Sequence, residues 1–237
     1  MTDTSLRIFD QVETWVFDLD NTLYPASSKL FDQISRRMTG FIAERFDIAP
    51  DAALARQREF FMRYGTTLRG LMVEHKIDPE PFLDYVHKID VGMIAANPDL
   101  ATQLGRLPGR KLIFTNASRI HAERVMEQIG VGHHFEDIFD IAAADYVPKP
   151  DRTSYKMMLD RHDVDPKRAC MVEDMAVNLE PAKSLGMATV WLKGEIEWAR
   201  PKNAGIGGKA IPAYIDHVAD DLGSWLDAVI ARRPPTG

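Results

Sequence analysis

Short apolar runs and segments of helical length alternate along the chain from residue 98 onward. Strands are predicted for residues 111–115, 137–142, 169–172 and 188–192, and helices for residues 118–129, 151–161, 177–185 and 216–232. Strands that alternate with helices of this length are typical of βαβ units, in which helices cover both faces of a parallel sheet. The alternation therefore predicts an α/β fold with a Rossmann-like parallel-sheet core.

A further strand is predicted for residues 14–17, and it stands far from the others in sequence. About 75 residues separate it from Pro98, which is too many for a loop inside a compact domain. Apolar residues in that stretch recur at helical spacing, as Leu30, Ile34 and Met38 do. The sequence therefore predicts a helical cap over residues 25–97, inserted into a core formed by residues 1–24 and 98–237.

The charge and composition of the chain limit the kinds of partner that we expect it to bind. The 237 residues include 29 basic and 35 acidic side chains, for a net charge of −6, so no basic field favours nucleic acid or an anionic membrane. The one cysteine, Cys170, allows no internal disulfide and fits a reducing compartment. No apolar stretch approaches the ~18 residues of a membrane span, and the first residues lack a signal peptide's apolar segment. We expect a cytoplasmic protein, a monomer or homodimer, that acts on a small molecule.

Two carboxylates follow the first predicted strand. Asp18 and Asp20 are two residues apart, so the period of a strand would point both side chains to one side. Such a pair attracts a divalent cation and suits a division into nucleophile and acid/base. A strand-end turn needs the same residue types, because Asp and Asn commonly cap turns. The spacing alone leaves both interpretations open.

Further polar residues follow the later strands. Thr115 and Asn116 end the second core strand, Lys149 stands between two prolines, and Glu173 and Asp174 end the strand after it. In a parallel sheet all of these positions meet at the carboxyl edge, where open α/β folds bind ligands. A hydroxyl, an amide, an ammonium group and carboxylates together suit a phosphate dianion with Mg²⁺.

In this order, the residues resemble the four motifs of the haloacid dehalogenase-like superfamily. The resemblance covers about residues 12–192 and is carried by Asp18 to Tyr24, Thr115 to Ala117, Lys149-Pro150, and Glu173 to Asn178. The insertion after the first motif is similar to the superfamily's type with a cap at that position. The resemblance implies a Rossmann-like core, with helices on both faces, and a small α-helical cap domain.

The superfamily resemblance also implies a mechanism. Asp18 would attack phosphorus and form an aspartyl-phosphate, and Asp20 would protonate the leaving oxygen and then activate water. A carboxylate with the usual pKa of about 3.9 is ionised at neutral pH, so Asp18 would need no activating base. Mg²⁺ would be held by Asp18, the backbone carbonyl of Asp20 and Asp174.

The remaining motif residues take supporting roles by the same resemblance. Thr115 and the backbone amide of Asn116 would hold phosphoryl oxygens, and Lys149 would neutralise the charge that grows in the transition state. Glu173 stands where many relatives have Gly or Asp, and it would bind the metal through water or tune the charge of Asp174. Asn178 stands where others have a second Asp, and it would orient its neighbours.

A second resemblance lies at the start of the insertion. Tyr24-Pro25 and residues 64–70 are similar to the pyrimidine 5′-nucleotidase branch of the superfamily. This implies a phosphoric monoester hydrolase acting on nucleoside 5′-monophosphates, pyrimidines foremost. Arg69 in this stretch is either a surface cation on an amphipathic helix or a planar donor for the base or sugar of a substrate.

Several alternatives remain. The same scaffold supports a sugar-phosphate phosphatase or a phosphomutase. A haloacid dehalogenase is disfavoured because Asp20 retains a carboxylate that those enzymes do not need. A binding or regulatory protein with a lapsed site is disfavoured because the set of Asp18, Asp20, Thr115, Lys149 and Asp174 is complete.

Overall fold

A parallel six-stranded sheet forms the centre of the protein. The computed structural model describes residues 3–194 and 211–233. Its strands are β1 (Thr14–Phe17), β2 (Arg110–Phe114), β3 (Asp137–Phe139), β4 (Ala169–Glu173), β5 (Ala188–Leu192) and β6 (His217–Ala219). They lie in the order β3-β2-β1-β4-β5-β6, and every neighbouring pair is parallel. The predicted α/β class with a Rossmann-like core is confirmed.

Helices fill the connections between the strands. They are α1 (Leu30–Phe46), α2 (Pro50–Tyr64), α3 (Thr67–His75), α4 (Pro79–Val86), α5 (Pro98–Arg106), α6 (Arg119–Ile129), α7 (Arg152–Arg161), α8 (Leu179–Leu185) and α9 (Leu222–Arg232). In residues 3–194 and 211–233, none of the helices has the length and apolar character that crossing a bilayer requires. We call α1 to α4, which lie between β1 and β2, the insertion.

The sheet is buried on both faces because its strands alternate between two apolar clusters. Trp15 of β1 packs with Phe9 and with Trp225 of α9 on one face. Val16, the next residue, belongs to the cluster on the other face, together with Tyr155 of α7. Such a strand needs apolar residues at every position, which is why the run Thr14–Phe17 shows no polar alternation.

The register of β1 sets the location of the site. Phe17, its last residue, lies opposite Ile113 of β2 and Val172 of β4. The residues that follow these three positions therefore emerge side by side at the carboxyl edge. The strand order also reverses at β1, and open α/β sheets form their ligand crevice at such a reversal.

Two predicted elements differ from the structure, and one helix has no counterpart in the prediction. The helix predicted over 216–232 is wrong at its start, because residues 217–219 pair with β5 as strand β6 and the helix begins only at Leu222. Strand β3 ends at Phe139 rather than at residue 142. Helix α5 was not predicted, although Asn97 caps it by accepting a hydrogen bond from the backbone N–H of Leu100.

The helices of the insertion pack on one another, and their buried apolar residues belong to the same cluster as one face of the sheet. Phe41 of α1 meets Phe82 of α4 edge to face, with ring centroids 5.0 Å apart. Gly70 of α3 lets the ring of Phe60 lie against its backbone, since a Cβ at residue 70 would come within 2.5 Å of that ring. The limits of the cap, residues 25–97, stay a prediction.

Candidate active site

The ammonium group of Lys149 lies at the centre of a buried charged cluster. It donates hydrogen bonds to Oδ1 of Asp18 at 2.6 Å and to Oε2 of Glu173 at 3.3 Å. Its third donor goes to the backbone carbonyl of Phe114 at 2.7 Å. With 2% of its surface exposed, the lysine has all three N–H groups engaged by the protein, which fixes the position of its charge beside Asp18.

The backbone around Lys149 is held from two sides. The side chain of Asn116 accepts a hydrogen bond from the Lys149 N–H at 2.8 Å and donates one to the Lys149 carbonyl at 3.3 Å. On the other side lies Gly65 of the insertion, whose φ is +87°, and a Cβ there would lie 3.4 Å from the Lys149 carbonyl oxygen. The side-chain amide of Asn116 is thus committed to Lys149, which leaves its backbone N–H as the group available to a ligand.

The carboxylates around the lysine form a set that fits a divalent cation. Asp18, Glu173 and Asp174 each offer one oxygen, and these oxygens lie within 4.8 Å of one another. Oδ2 of Asp174 is buried and has no hydrogen-bond partner among the described residues. Three buried acids around one ammonium group leave negative charge uncompensated. Carboxylate oxygens in this number are the ligands that Mg²⁺ prefers.

The pKa values of the acids reflect the same imbalance. Burial raises the pKa of Asp18 above its ordinary value in spite of Lys149, and burial with the charge of Asp18 raises the pKa of Glu173 to about 8. Burial and the charge of Glu173 raise the pKa of Asp174 well above the usual range. Burial alone would lower the pKa of Lys149, but the carboxylates of Asp18 and Glu173 outweigh it and raise that pKa.

The ordinary pKa of an aspartate predicts that Asp18 is ionised at neutral pH without an activating base. In the structure, burial raises the pKa of Asp18, and the nearby Lys149 opposes that rise. A bound cation would lower the pKa values of all three acids.

Further hydrogen bonds orient the acids. The side-chain amide of Asn178 donates to Oε1 of Glu173, and the backbone carbonyl of Asn178 accepts from the buried hydroxyl of Tyr155 at 2.5 Å. The indole N–H of Trp191 donates to the backbone carbonyl of Asp174 at 2.9 Å. Both carboxylate oxygens of Glu173 therefore have donors, whereas Asp174 keeps a bare oxygen.

Thr115 lies at the end of β2, next to the cluster. Its hydroxyl oxygen accepts a hydrogen bond from the backbone N–H of Ala117 at 3.0 Å, which leaves the hydroxyl proton to donate elsewhere. Together with the backbone N–H of Asn116, this gives two donors at the carboxyl edge, which is the arrangement that phosphoryl oxygens require.

Asp20 has surroundings quite unlike those of Asp18. Its Oδ1 accepts a hydrogen bond from the hydroxyl of Tyr24 at 2.6 Å and lies 2.9 Å from Nε2 of His121. Burial alone would raise the pKa of Asp20, but His121 and Tyr24 outweigh it, so that the pKa lies below its ordinary value. Burial and the charge of Asp20 raise the pKa of Tyr24 well above 10, which keeps the phenol protonated as a donor.

A second histidine supports the first. The ring of His87 stacks on that of His121, with centroids 4.5 Å apart and planes inclined by 18°. Nδ1 of His87 lies 2.8 Å from the hydroxyl of Ser118, the residue that caps α6. Burial and the neighbouring His121 lower the pKa of His87 to about 3, so the stacked ring is neutral at physiological pH.

Sequence reasoning did not identify Tyr24, His87, Ser118 or His121 as parts of the site. For His121 a signal exists, because it lies in the first turn of a helix that follows a strand end bearing two motif residues. Helix starts at the carboxyl edge of a parallel sheet face the ligand crevice. His87 has no comparable signal, since it reaches His121 only because residues 87–97, the insertion's return segment, pack on α6.

The structure brings most predicted site residues together but leaves one apart. Hydrogen bonds join Asp18, Lys149, Glu173 and Asn178 into one group, and Asp174 offers a carboxylate oxygen within 4.8 Å of those of Asp18 and Glu173. Arg69 lies half-buried in the first turn of α3, and its guanidinium group has no hydrogen-bond or ion-pair partner in the described parts of the chain. Its role in substrate binding stays a prediction.

The insertion also touches the core beside the site. Phe61 of α2 packs against Met175 and Val177, which follow β4. The hydroxyl of Tyr146 in the core donates a hydrogen bond to Glu80 of α4. These contacts, with that of Gly65, place the insertion next to the carboxyl edge of the sheet.

Comparisons with known proteins agree with this architecture. The profile of the haloacid dehalogenase-like hydrolase family matches residues 12–186. Phosphate metabolism protein 8 of Saccharomyces cerevisiae is 26% identical over 196 residues, which make up 75% of this chain and 60% of the yeast protein. The match thus spans about three fifths of the length of that relative.

Solved structures show the same fold. L-2-haloacid dehalogenase from Xanthobacter autotrophicus is similar with a TM-score of 0.57 and 17% identity, over 94% of this chain and all of that one. A HAD phosphatase from Thermococcus onnurineus is similar with a TM-score of 0.61 and 17% identity, over 91% of this chain and 97% of that one. These identities are too low to transfer an activity. The family profile covers most of the chain, and its fold is the one described above, so the chain belongs to the haloacid dehalogenase-like hydrolase family.

Proposed function

We propose that this hydrolase is a Mg²⁺-dependent phosphatase of small phosphate monoesters. The observation that carries the proposal is the pairing of two differently equipped acids at one sheet edge. Asp18 lies against the ammonium group of Lys149 at 2.6 Å, as an anionic nucleophile requires. Asp20 lies against hydrogen-bond donors, as a proton carrier requires.

The first half of the reaction uses both acids. A carboxylate oxygen of Asp18 attacks phosphorus and the ester P–O bond breaks, so that an aspartyl-phosphate forms on Asp18. Asp20 delivers a proton to the leaving oxygen. A phosphate dianion that approaches Asp20 raises its proton affinity by repulsion between like charges, which offsets the lowered pKa of the free protein.

The second half restores the enzyme. Asp20 takes a proton from water as its oxygen attacks phosphorus, the acyl phosphate bond breaks, and inorganic phosphate leaves. Lys149, Thr115 and the backbone N–H of Asn116 face the negative charge that grows on the phosphoryl oxygens. Asp18, Asp174 and the backbone carbonyl of Asp20 would hold Mg²⁺, with Glu173 beside them. The bound ion supplies positive charge between the anionic acids and the anionic substrate.

Other reactions on this scaffold explain the site less well. A dehalogenase needs a nucleophilic aspartate but has no leaving alkoxide to protonate, so it would leave Asp20 and its two donors without a task. A phosphomutase uses both acids but must keep water from the intermediate. A protein without catalysis would gain nothing from three buried acids whose charges oppose one another.

The substrate class follows from the motifs at the insertion. We propose nucleoside 5′-monophosphates, pyrimidines foremost, with the insertion acting as a cap over the leaving group. The resemblance of residues 64–70 to the nucleotidase branch supports this. So does Gly65, which lies against the Lys149 carbonyl in the turn that precedes α3, the helix of Arg69. Sugar phosphates are the alternative substrates, and the cytoplasm is the proposed location.

A phosphate-release screen tests the proposal. Nucleoside monophosphates, sugar phosphates and p-nitrophenyl phosphate are each assayed with Mg²⁺ and with a chelator. We expect inorganic phosphate from monoesters only when Mg²⁺ is present, with pyrimidine nucleotides preferred. A preference for sugar phosphates would remove the nucleotidase assignment alone. An isomerised sugar phosphate, or halide release from a haloacid without phosphate release, would overturn the phosphatase.

A further inference from the structure

Both protein donors near Asp20 converge on one of its oxygens. The Tyr24 hydroxyl donates to Oδ1 at 2.6 Å, and Nε2 of His121 lies 2.9 Å from the same atom. No donor from the described residues reaches Oδ2. The two oxygens of this carboxyl group are therefore not equivalent, and Oδ2 is the one left to exchange a proton with a ligand.

The contacts of His121 fix which of its nitrogens carries the proton. Nε2 faces a carboxylate oxygen, which only accepts, so Nε2 must donate. Nδ1 is buried and has no hydrogen-bond partner among the described residues. A proton there would be a buried donor without an acceptor, which is costly. Nε2 is therefore the nitrogen of His121 that donates to Asp20.

The ring of His121 has little freedom to turn away. It is fully buried, and His87 covers one of its faces at 4.5 Å. Ser118 holds His87 by its Nδ1, while Arg124 of α6 donates to the backbone carbonyl of His87 at 2.9 Å. Residues of α6 thus hold His87 in place, His87 stacks on His121, and His121 contacts Asp20.

From this arrangement we propose that His121, backed by His87, is a positioning residue that holds Asp20 by Oδ1 and so presents Oδ2 to the leaving oxygen. The proposal rests on the phosphatase function above, because it assigns a geometry to the proton carrier of that reaction. His121 acts through Asp20 and need not touch the substrate.

Leaving groups of different acidity test the proposal. Phenol has a pKa of about 10, like tyrosine, and so needs a proton as it leaves. Nitrophenol is a much stronger acid and leaves readily as an anion. For His121→Leu with Mg²⁺, we expect kcat/KM to fall ~10- to 100-fold on phenyl phosphate and less than ~3-fold on p-nitrophenyl phosphate. This ratio does not depend on the fraction of folded enzyme, because that fraction cancels.

Matched variants complete the test. His121→Gln places an amide N–H near the position of Nε2, so we expect it to restore most of the activity on phenyl phosphate. His87→Ala, which removes the stacked ring, should shift the ratio in the same direction but less. His133→Gln, in an exposed turn, should leave the ratio unchanged. Equal losses on the two esters in His121→Leu would overturn the proposal.

A measurement without turnover separates this proposal from the function on which it rests. Imidazole ¹⁵N NMR of the wild-type protein should show a proton on Nε2 of His121. An Nε2 without a proton would refute the hydrogen bond to Asp20, whatever the enzyme hydrolyses. If wild type releases phosphate from no monoester, the phosphatase proposal fails, and with it the role of Oδ2, while the NMR result still decides the contact.

Discussion

The two acids of the site lie two residues apart, and their surroundings differ in kind. Asp18 belongs to a half that is rich in charge, where Lys149 and two further acids oppose and attract one another. Asp20 belongs to a half built from hydrogen-bond donors, the Tyr24 hydroxyl and Nε2 of the stacked His121. The groups around Asp18 set the charge of the site, whereas the groups around Asp20 set the direction in which its carboxylate points. The same side-chain type can therefore attack in one place and carry a proton in the other.

The largest expected effect is on the charged half. Asp18→Asn keeps the shape of the side chain but removes the nucleophile, so we expect kcat to fall at least ~10³-fold on every monoester. Phosphate release under saturating substrate measures it, with circular dichroism to confirm the fold. Asp160→Asn, at an exposed position on α7, is the matched control. Wild-type turnover by Asp18→Asn would show that the nucleophile is another group.

Removal of the lysine should unbalance the same half. Lys149→Met leaves the buried acids without their ammonium group, and we expect the free energy of unfolding to fall by ~3–5 kcal/mol in the absence of Mg²⁺. Lys111→Met is the control, because Lys111 is also buried but its ammonium group bonds only a backbone carbonyl. That change should cost less than ~1 kcal/mol. Equal costs in urea denaturation would contradict a special role for the charge of Lys149.

The pH dependence of stability should also separate the halves. Folding raises the pKa of Glu173 from 4.5 to about 8, so the folded protein binds more protons than the unfolded chain across that window. The corresponding stability is present below the unfolded pKa and is lost as the pH rises toward 8. We expect Tm in chelator to fall between pH 6 and 8, and to fall less in Glu173→Gln.

Added Mg²⁺ supplies the comparison for that experiment. Because a cation binds the ionised acids, it should raise Tm more at pH 8 than at pH 6 in the wild type. A Tm in chelator that changes with pH by the same amount in the wild type and in Glu173→Gln would contradict the raised pKa.

The smallest expected effect is on the half around Asp20. Tyr24→Phe removes one of the two donors to Oδ1, and we expect kcat/KM on phenyl phosphate to fall only ~3- to 10-fold. Combined with His121→Leu, the loss should differ from the product of the single losses, since both donors act on one atom. Tyr214→Phe serves as the control, because Tyr214 lies beside β5, where its backbone carbonyl accepts a hydrogen bond from the hydroxyl of Thr189. Strict additivity in the double variant would show that the two donors act independently.

The difference between the halves also explains what could be predicted from the sequence. Asp18 and Thr115 directly follow strands and Glu173 ends one, and a parallel sheet must bring strand ends to one edge. For this reason, the haloacid dehalogenase-like fold and the shared location of these residues could be predicted from the sequence. His87 and His121 meet only because the insertion's return segment packs on α6, and a contact between distant segments has no periodic signal.

Other differences come from competing local preferences. The residues of β6 continue the apolar pattern of a helix, but the open edge of β5 offers them backbone hydrogen bonds, and Lys193 donates to the Ala219 carbonyl at 2.8 Å. Sheet pairing won over helix propensity there. The direction of the pKa shift of Asp18 could not be judged from its residue type, because it comes from burial and from the neighbouring Lys149.

The attachment of residues 87–97 to α6 sets the limits of any hinge. Arg124 donates to the carbonyls of His87 and Ile89, and Gln128 donates to that of Ile94 at 2.8 Å. The backbone N–H of Asn97 donates to the Ile129 carbonyl at 2.9 Å. A swing of α1 to α4 that pivots before His87 would therefore break the exposed link from Gln33 to Asp90, together with the contacts between the insertion and the core described above. Asp20 would then keep its contact with His121, and His121 its contact with His87, while α1 to α4 move away from the edge of the sheet.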